Sequence, residues 1–140
     1  MEGPRLTTIE KIIFLKSVDI FSHATVEGLG RIAALSDEVC FDPGETIYRE
    51  GEPTEAIYLV LKGRVAVEAN GRVVRELGEA EALGTVAALD RHPAVHTVKA
   101  IDSVYALKLN AQDFDDILSL DFDLVRAVFK AICRLIRDRH

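Results

Sequence analysis

Between positions 83 and 98 the chain reads L-G-T-V-A-A-L-D-R-H-P-A-V-H-T-V, a spacing suited to gripping an anion with backbone groups. Gly84 permits a turn that a side chain would obstruct. Thr85, Val86, Ala87 and Ala88 are small enough to open a short helix beside a ligand, and Pro93 ends that helix before a β-branched strand. Such a turn aims N–H groups at a phosphate or a similar anion, so the chemistry expected is binding. There is no G-x-S-x-G elbow, H-E-x-x-H helix or Walker-type lysine loop. No catalytic residue is assigned, and no enzymatic activity is expected.

Other reactive residue types are scattered. Cys40 and Cys133 stand far apart, outside any C-x-x-C or C-x-x-H arrangement, and read as separate thiols rather than a disulfide or metal pair. Pro93 keeps His92 and His96 from sharing a helix face, so no metal site is expected and no cofactor is required. Acidic residues such as Asp37, Glu52, Glu55, Glu79 and Asp116 fall in turns or opposite apolar stripes, where solvation explains them. Arg126, Lys130, Arg134, Arg137 and Arg139 lie toward the end of the last helix, with Asp121 and Asp123 at its start. That order matches the helix dipole rather than a nucleic-acid face.

The elements that must position the loop follow from local pattern. Thr7 with Glu10 forms a capping box ahead of Ile9, Ile12 and Ile13 at helical spacing, and Thr25 caps a second helix carrying Leu29, Ile32, Ala33 and Leu35 on one face. From Asp37 the pattern becomes short β runs broken by turn residues every eight to twelve positions or so, the rhythm of a sandwich or barrel. The runs are Val39 to Phe41, Thr46 to Tyr48, Ala56 to Leu61, Val65 to Ala69, Val73 to Leu77, Thr97 to Ala100 and Ser103 to Leu109. Asn70-Gly71 is the strongest hairpin signal. Asn110 caps a helix with Phe114, Ile117 and Leu118 inward, and a last helix starts near Asp121 and runs towards Arg139.

The loop resembles the cassette of the cyclic nucleotide-binding domain family, of the catabolite activator protein and kinase regulatory subunit type, roughly F-G-E-x-A-L-x-x-x-x-P-R-x-A-T-V. Laid on it without a gap, Gly84, Ala87, Pro93, Thr97 and Val98 match, as do the framework stretches D-P-G-E, E-G-E-P and L-K-G-R-V and the turn positions Gly44, Gly51, Gly63, Gly71 and Gly84. The resemblance implies an antiparallel β-roll of about eight strands flanked by helices. It also implies a ligand site at Gly84, Thr85, Val86, Ala87, Ala88, Ala94, Val95, His96 and Thr97, with a cyclic nucleotide or related anion as ligand. In the family a glutamate at the position of Thr85 accepts from the ribose 2′-OH, and an arginine at the position of Ala94 pairs with the cyclic phosphate. Each charge-assisted bond contributes about 1.5 to 3 kcal/mol, so lacking both removes about two to four decades of affinity. Arg91, His92, His96 and Lys99 lie close enough in sequence to be candidate replacement cations, set against the plainer reading of solvated side chains around the loop.

The chain has 140 residues, 49% of them hydrophobic, which suits one core and one domain. That domain divides into N-terminal helices (1–36), a β-roll (37–109, with the loop at 83–98) and C-terminal helices (110–140). A net charge of −6 argues against nucleic-acid or anionic-membrane partners. No apolar run approaches the roughly 20 residues of a membrane span, and Met1 to Arg5 lacks a signal-peptide pattern, so a cytoplasmic protein is expected. Two functions are expected from these features. One is a regulatory module of a larger signalling or transport-related chain with weak or altered nucleotide binding; the other is a protein-interaction or dimerisation module without ligand. Val125, Val128, Ile132 and Leu135 on the last helix, with Leu124, Phe129 and Ile136 alongside, form the expected homodimer seam or a contact with another domain, set against packing on the module's own β-roll.

Overall fold

The computed structural model describes residues 5–138. Met1 to Pro4, read above for a leader pattern, and Arg139 lie outside the described residues. The chain opens with α1 (Thr8–Lys16), whose start is the capping box in full: Glu10 N–H donates to Thr7 Oγ1 at 3.1 Å, and Thr7 N–H donates to Glu10 Oε1 at 2.9 Å. A cap of this kind contributes about 1 kcal/mol. A 3-10 turn (Asp19–Phe21) leads to α2 (Val26–Leu35), capped by Thr25 Oγ1, which accepts from Gly28 N–H.

Eight strands follow: β1 (Ser36–Phe41), β2 (Thr46–Tyr48), β3 (Ala56–Lys62), β4 (Val65–Ala69), β5 (Arg72–Leu77), β6 (Ala82–Leu83), β7 (Thr97–Ala100) and β8 (Val104–Asn110). A five-residue helix, α3 (Thr85–Leu89), separates β6 from β7, and α4 (Ala111–Leu120) and α5 (Phe122–Asp138) complete the chain. The strands form two four-stranded antiparallel sheets, ordered β1-β8-β3-β6 and β2-β7-β4-β5. β1 starts at Ser36 and β8 reaches Asn110, one residue outside the expected roll at each end. β6, only two residues long, carries no alternation and so leaves no sequence signal.

Strand alternation sorts side chains into two cores. On β3, Ile57 and Leu59 face the helices and join Leu15, Phe21, Leu29, Ile32, Leu107, Leu109 and Phe114 in one cluster. Val60 faces the other sheet, with Val65, Val67, Leu83, Val98 and Val104. Phe21 meets Phe114 edge to face, with centroids 5.9 Å apart, which locks α4 onto the N-terminal helices. The β4–β5 hairpin turns through Asn70 and Gly71, both with positive φ, as a two-residue turn of the I′ kind requires. Gly63 makes the closest backbone approach: a Cβ there would collide with the Ser103 carbonyl oxygen.

Three helix faces differ from expectation. On α1 the buried residue is Leu15, with Ile12 packed beside it, while Ile9 and Ile13 point to solvent because their shared i, i+4 row lies away from α2. Leu35, at the last position of α2, is exposed, although Leu29, Ile32 and Ala33 are fully buried as expected. On α5, Val128 is 4% exposed and packs with Leu124, Ala127 and Ala131 on its own domain, so it does not belong to a free seam. The solvent-facing stripe comprises Phe122 together with the expected Phe129 and Ile136, one heptad apart, with Leu135 also exposed and Val125 and Ile132 half-buried.

Candidate functional site

The two sheets part at one end of the roll around a cavity of about 450 Å³. The cassette forms one wall. Gly84 sits at φ +83, a left-handed turn, and its backbone lies so near β3 that a Cβ would come within 3.3 Å of the Ala56 carbonyl oxygen. This places α3 with its first turn on the cavity, where the N–H groups of Thr85, Val86 and Ala87 have no acceptor within the helix. Pro93 does not end the helix. α3 stops at Leu89 because Arg91 turns left-handed (φ +54) and His92 N–H returns to the Ala87 carbonyl at 2.9 Å, the 6→1 bond of a Schellman closure.

Of the nine expected site residues, Gly84, Thr85, Val86, Ala87, Ala94, Val95 and His96 line the cavity together. Ala88 and Thr97 do not. Ala88 N–H donates to the Gly84 carbonyl, and the side chain packs into the helical core. Thr97 lies on β7, where its hydroxyl oxygen accepts from Glu50 N–H at 3.0 Å. Position 94 is pinned from both sides: Ala94 N–H donates to the Glu52 carbonyl and Gly51 N–H to the Ala94 carbonyl, each at 2.8 Å. The Thr85 hydroxyl oxygen is buried with no hydrogen-bond partner among the described residues.

The candidate replacement cations divide. His96 lines the cavity, but Arg91 is paired with Asp115 on α4 and lines a separate cleft with His92, and Lys99 pairs with Glu68 on β4 at 3.5 Å. Among the residues that sequence reasoning missed and the structure brings to the cavity are Tyr48 from β2, Tyr58 from β3 and Arg75 from β5, together with the carboxylates Glu52 and Glu55, assigned above to solvated turns. The two tyrosine rings stack with centroids 6.4 Å apart, and Phe41 meets Tyr58 edge-on. Burial pushes the Tyr48 phenol up to about 12, with the Arg75 charge acting to lower it and Tyr58 to raise it. Burial also raises Tyr58, helped by the negative charge of Glu55. Both phenols therefore stay protonated near neutral pH and can donate hydrogen bonds. The available signal for Arg75 was its two-residue spacing from Leu77 on the strand leaving the Asn70-Gly71 turn.

The arrangement is a cavity of a size that fits a small ligand. Among the described residues no group of three His, Cys, Asp or Glu side chains is placed to hold a metal ion, and no helix is long and apolar enough to cross a membrane. Two antiparallel sheets rolled around such a cavity, with a glycine-led helix in its wall, define an antiparallel β-roll flanked by helices. The chain belongs to the cyclic nucleotide-binding domain family, whose model matches residues 38–121. It is similar to the cAMP-dependent protein kinase regulatory subunit of Debaryomyces hansenii, 31% identical over 116 residues that make up 81% of this chain and 25% of that protein. Among solved structures it is similar to the N-terminal domain of a transcriptional regulator from Streptomyces coelicolor A3(2), with a TM-score of 0.78 and 25% identity over 90% of this chain and 92% of that one. It is also similar to the regulatory subunit of a cAMP-independent protein kinase A from Trypanosoma brucei, in a triple mutant bound to cAMP in the A site. That match has a TM-score of 0.76 and 27% identity, over 91% of this chain and 46% of that one. The chain spans about a fifth to a third of the length of the curated relatives it matches.

Proposed function

We propose that this chain is the regulatory module of a longer signalling or transport-related protein, and that its pocket binds cyclic nucleotides weakly or in an altered way. The observation that carries the reading is the pairing of an open cavity with an uncharged cassette wall: Thr85 and Ala94 occupy the positions at which the family pattern has glutamate and arginine. Without a carboxylate for the ribose and a guanidinium for the phosphate, the backbone donors of α3 grip the ligand with less help. The Trypanosoma brucei relative supports the guanidinium half of this reading. It is described as cAMP-independent, and the mutant bound to cAMP has arginine in place of a threonine, with alanine in place of a glutamate and a valine. The module itself is read as non-enzymatic, acting through the helices after Asn110.

A thermal-shift titration with cyclic AMP and cyclic GMP tests the reading. Ligand at 100 times its dissociation constant stabilises a fold by about 2.7 kcal/mol. The expected result is no shift at micromolar ligand, and saturation at low micromolar concentration would overturn weak binding. A second reading, a protein-interaction or dimerisation module, is favoured by one observation: the exposed Phe122, Phe129 and Ile136 stripe on α5. Such a stripe suits a second copy of the chain or another domain of the longer protein.

A further inference from the structure

We propose that Arg75, on β5, supplies the positive charge that holds the anionic group of the ligand, in place of a cassette arginine. The pocket would then take a ring-bearing phosphate ester gripped from the wall opposite the usual one. The inference rests on the nucleotide-pocket reading above and names the residue on which the remaining affinity depends.

Four observations converge on Arg75. The strand register sets it directly across from Val67, which is 2% exposed and faces the space between the sheets, so Arg75 lies on the same face of the hairpin, at the solvent-exposed mouth of the cavity. It lines the cavity, whose lining otherwise offers only His96 as a group able to carry positive charge. Four other cations in the fold are engaged, Arg31 with Asp121, Arg64 with Glu76, Arg91 with Asp115 and Lys99 with Glu68, whereas Arg75 forms no ion pair among the described residues. Finally, its charge reaches the Tyr48 phenol, and that hydroxyl lies 3.9 Å from where a Cβ on Gly84 would stand. Guanidinium, phenol donor and cassette turn thus border one space. A planar fork of donors beside a neutral phenol matches a phosphate oxygen pair, and no ion pair among the described residues neutralises this guanidinium, although Glu52 and Glu55 line the same cavity.

Calorimetric titration of the 140-residue chain with cyclic AMP, and separately with the uncharged nucleoside adenosine, tests the assignment. Arg75→Gln is expected to weaken cyclic AMP about tenfold and leave adenosine unchanged, with Arg75→Lys retaining part of the affinity. Arg72→Gln, on the same strand and outside the cavity, is expected to titrate as the unmodified chain does. Equal cyclic AMP binding before and after Arg75→Gln, with circular dichroism showing both folded, would overturn the proposal, as would adenosine binding as tightly as cyclic AMP. Low-micromolar cyclic AMP binding that falls tenfold in Arg75→Gln would sink weak binding and uphold Arg75. Silence from both ligands would overturn Arg75 and leave weak binding standing.

Discussion

Replacing Thr85 with glutamate and Ala94 with arginine returns the two charges that the family pattern places in the cassette, and the structure sets the size of the effect. Both positions line the cavity, and position 94 is fixed by two 2.8 Å backbone bonds to the turn at Gly51 and Glu52, so the new arginine would start from a rigid base. Each charge-assisted bond contributes about 1.5 to 3 kcal/mol, and the pair about 3 to 6, or two to four decades in dissociation constant. Two terms reduce this. Ala94 is 7% exposed, so its replacement must swing towards the cavity rather than into the core, and Arg75 already brings a like charge to the same space. A gain of at least about two decades is therefore the expected outcome for cyclic AMP, measured by titration calorimetry against the unmodified chain. Circular dichroism and thermal melting establish that the double variant is folded. A folded double variant with no gain would refute the reasoning, because it would mean that the α3 donors do not face a ligand-accessible space.

The remaining predictions concern assembly and pH. Phe129→Asp places a charge in the exposed α5 stripe and is expected to reduce any self-association seen by light scattering while leaving the melting temperature nearly unchanged. Val128→Asp buries a charge against the module's own core and is expected to destabilise the fold by about 3 kcal/mol or more in urea titration. The reverse ranking of the two variants would mean that α5 packs differently. For Tyr48 the folded-state pKa lies above the unfolded one, so its contribution to stability is complete below about pH 10 and is lost as pH rises towards about 12. Tyr48→Phe should flatten that part of the stability profile, and an unchanged profile would place the burial elsewhere.

The elements whose signals are local were legible in the sequence. Thr7, Thr25 and Asn110 cap helices through hydrogen bonds to residues two or three positions on, and Asn70-Gly71 turns a hairpin through its own backbone angles, so neighbouring residues alone specify these features. The cassette was legible for the same reason: Gly84 carries the left-handed turn within its own residue. Even so, Pro93 misled about the end of α3, since the Schellman closure at Arg91 and His92 needs no proline.

Helix faces were less legible. Periodicity shows that apolar residues share a row, but not which of two rows meets the core. Ile9 and Ile13 point outward and Leu15 inward only because α2 lies on that side of α1, and Val128 is buried because α5 lies back along the turn at Asp19–Phe21.

The sequence by itself determined the order of helices and strands, the hairpin, the caps and the uncharged residues at 85 and 94, because each depends on groups a few positions apart. Only the tertiary structure decided who shares the cavity. Tyr48, Tyr58 and Arg75 come from three strands spread over both sheets and meet the cassette through long-range pairing, β2 with β7, β3 with β6 and the β4–β5 hairpin with β7. A strand pattern tells which side chains alternate. Which face looks into a cavity depends on the register and on the second sheet across it, and those are properties of the assembled roll.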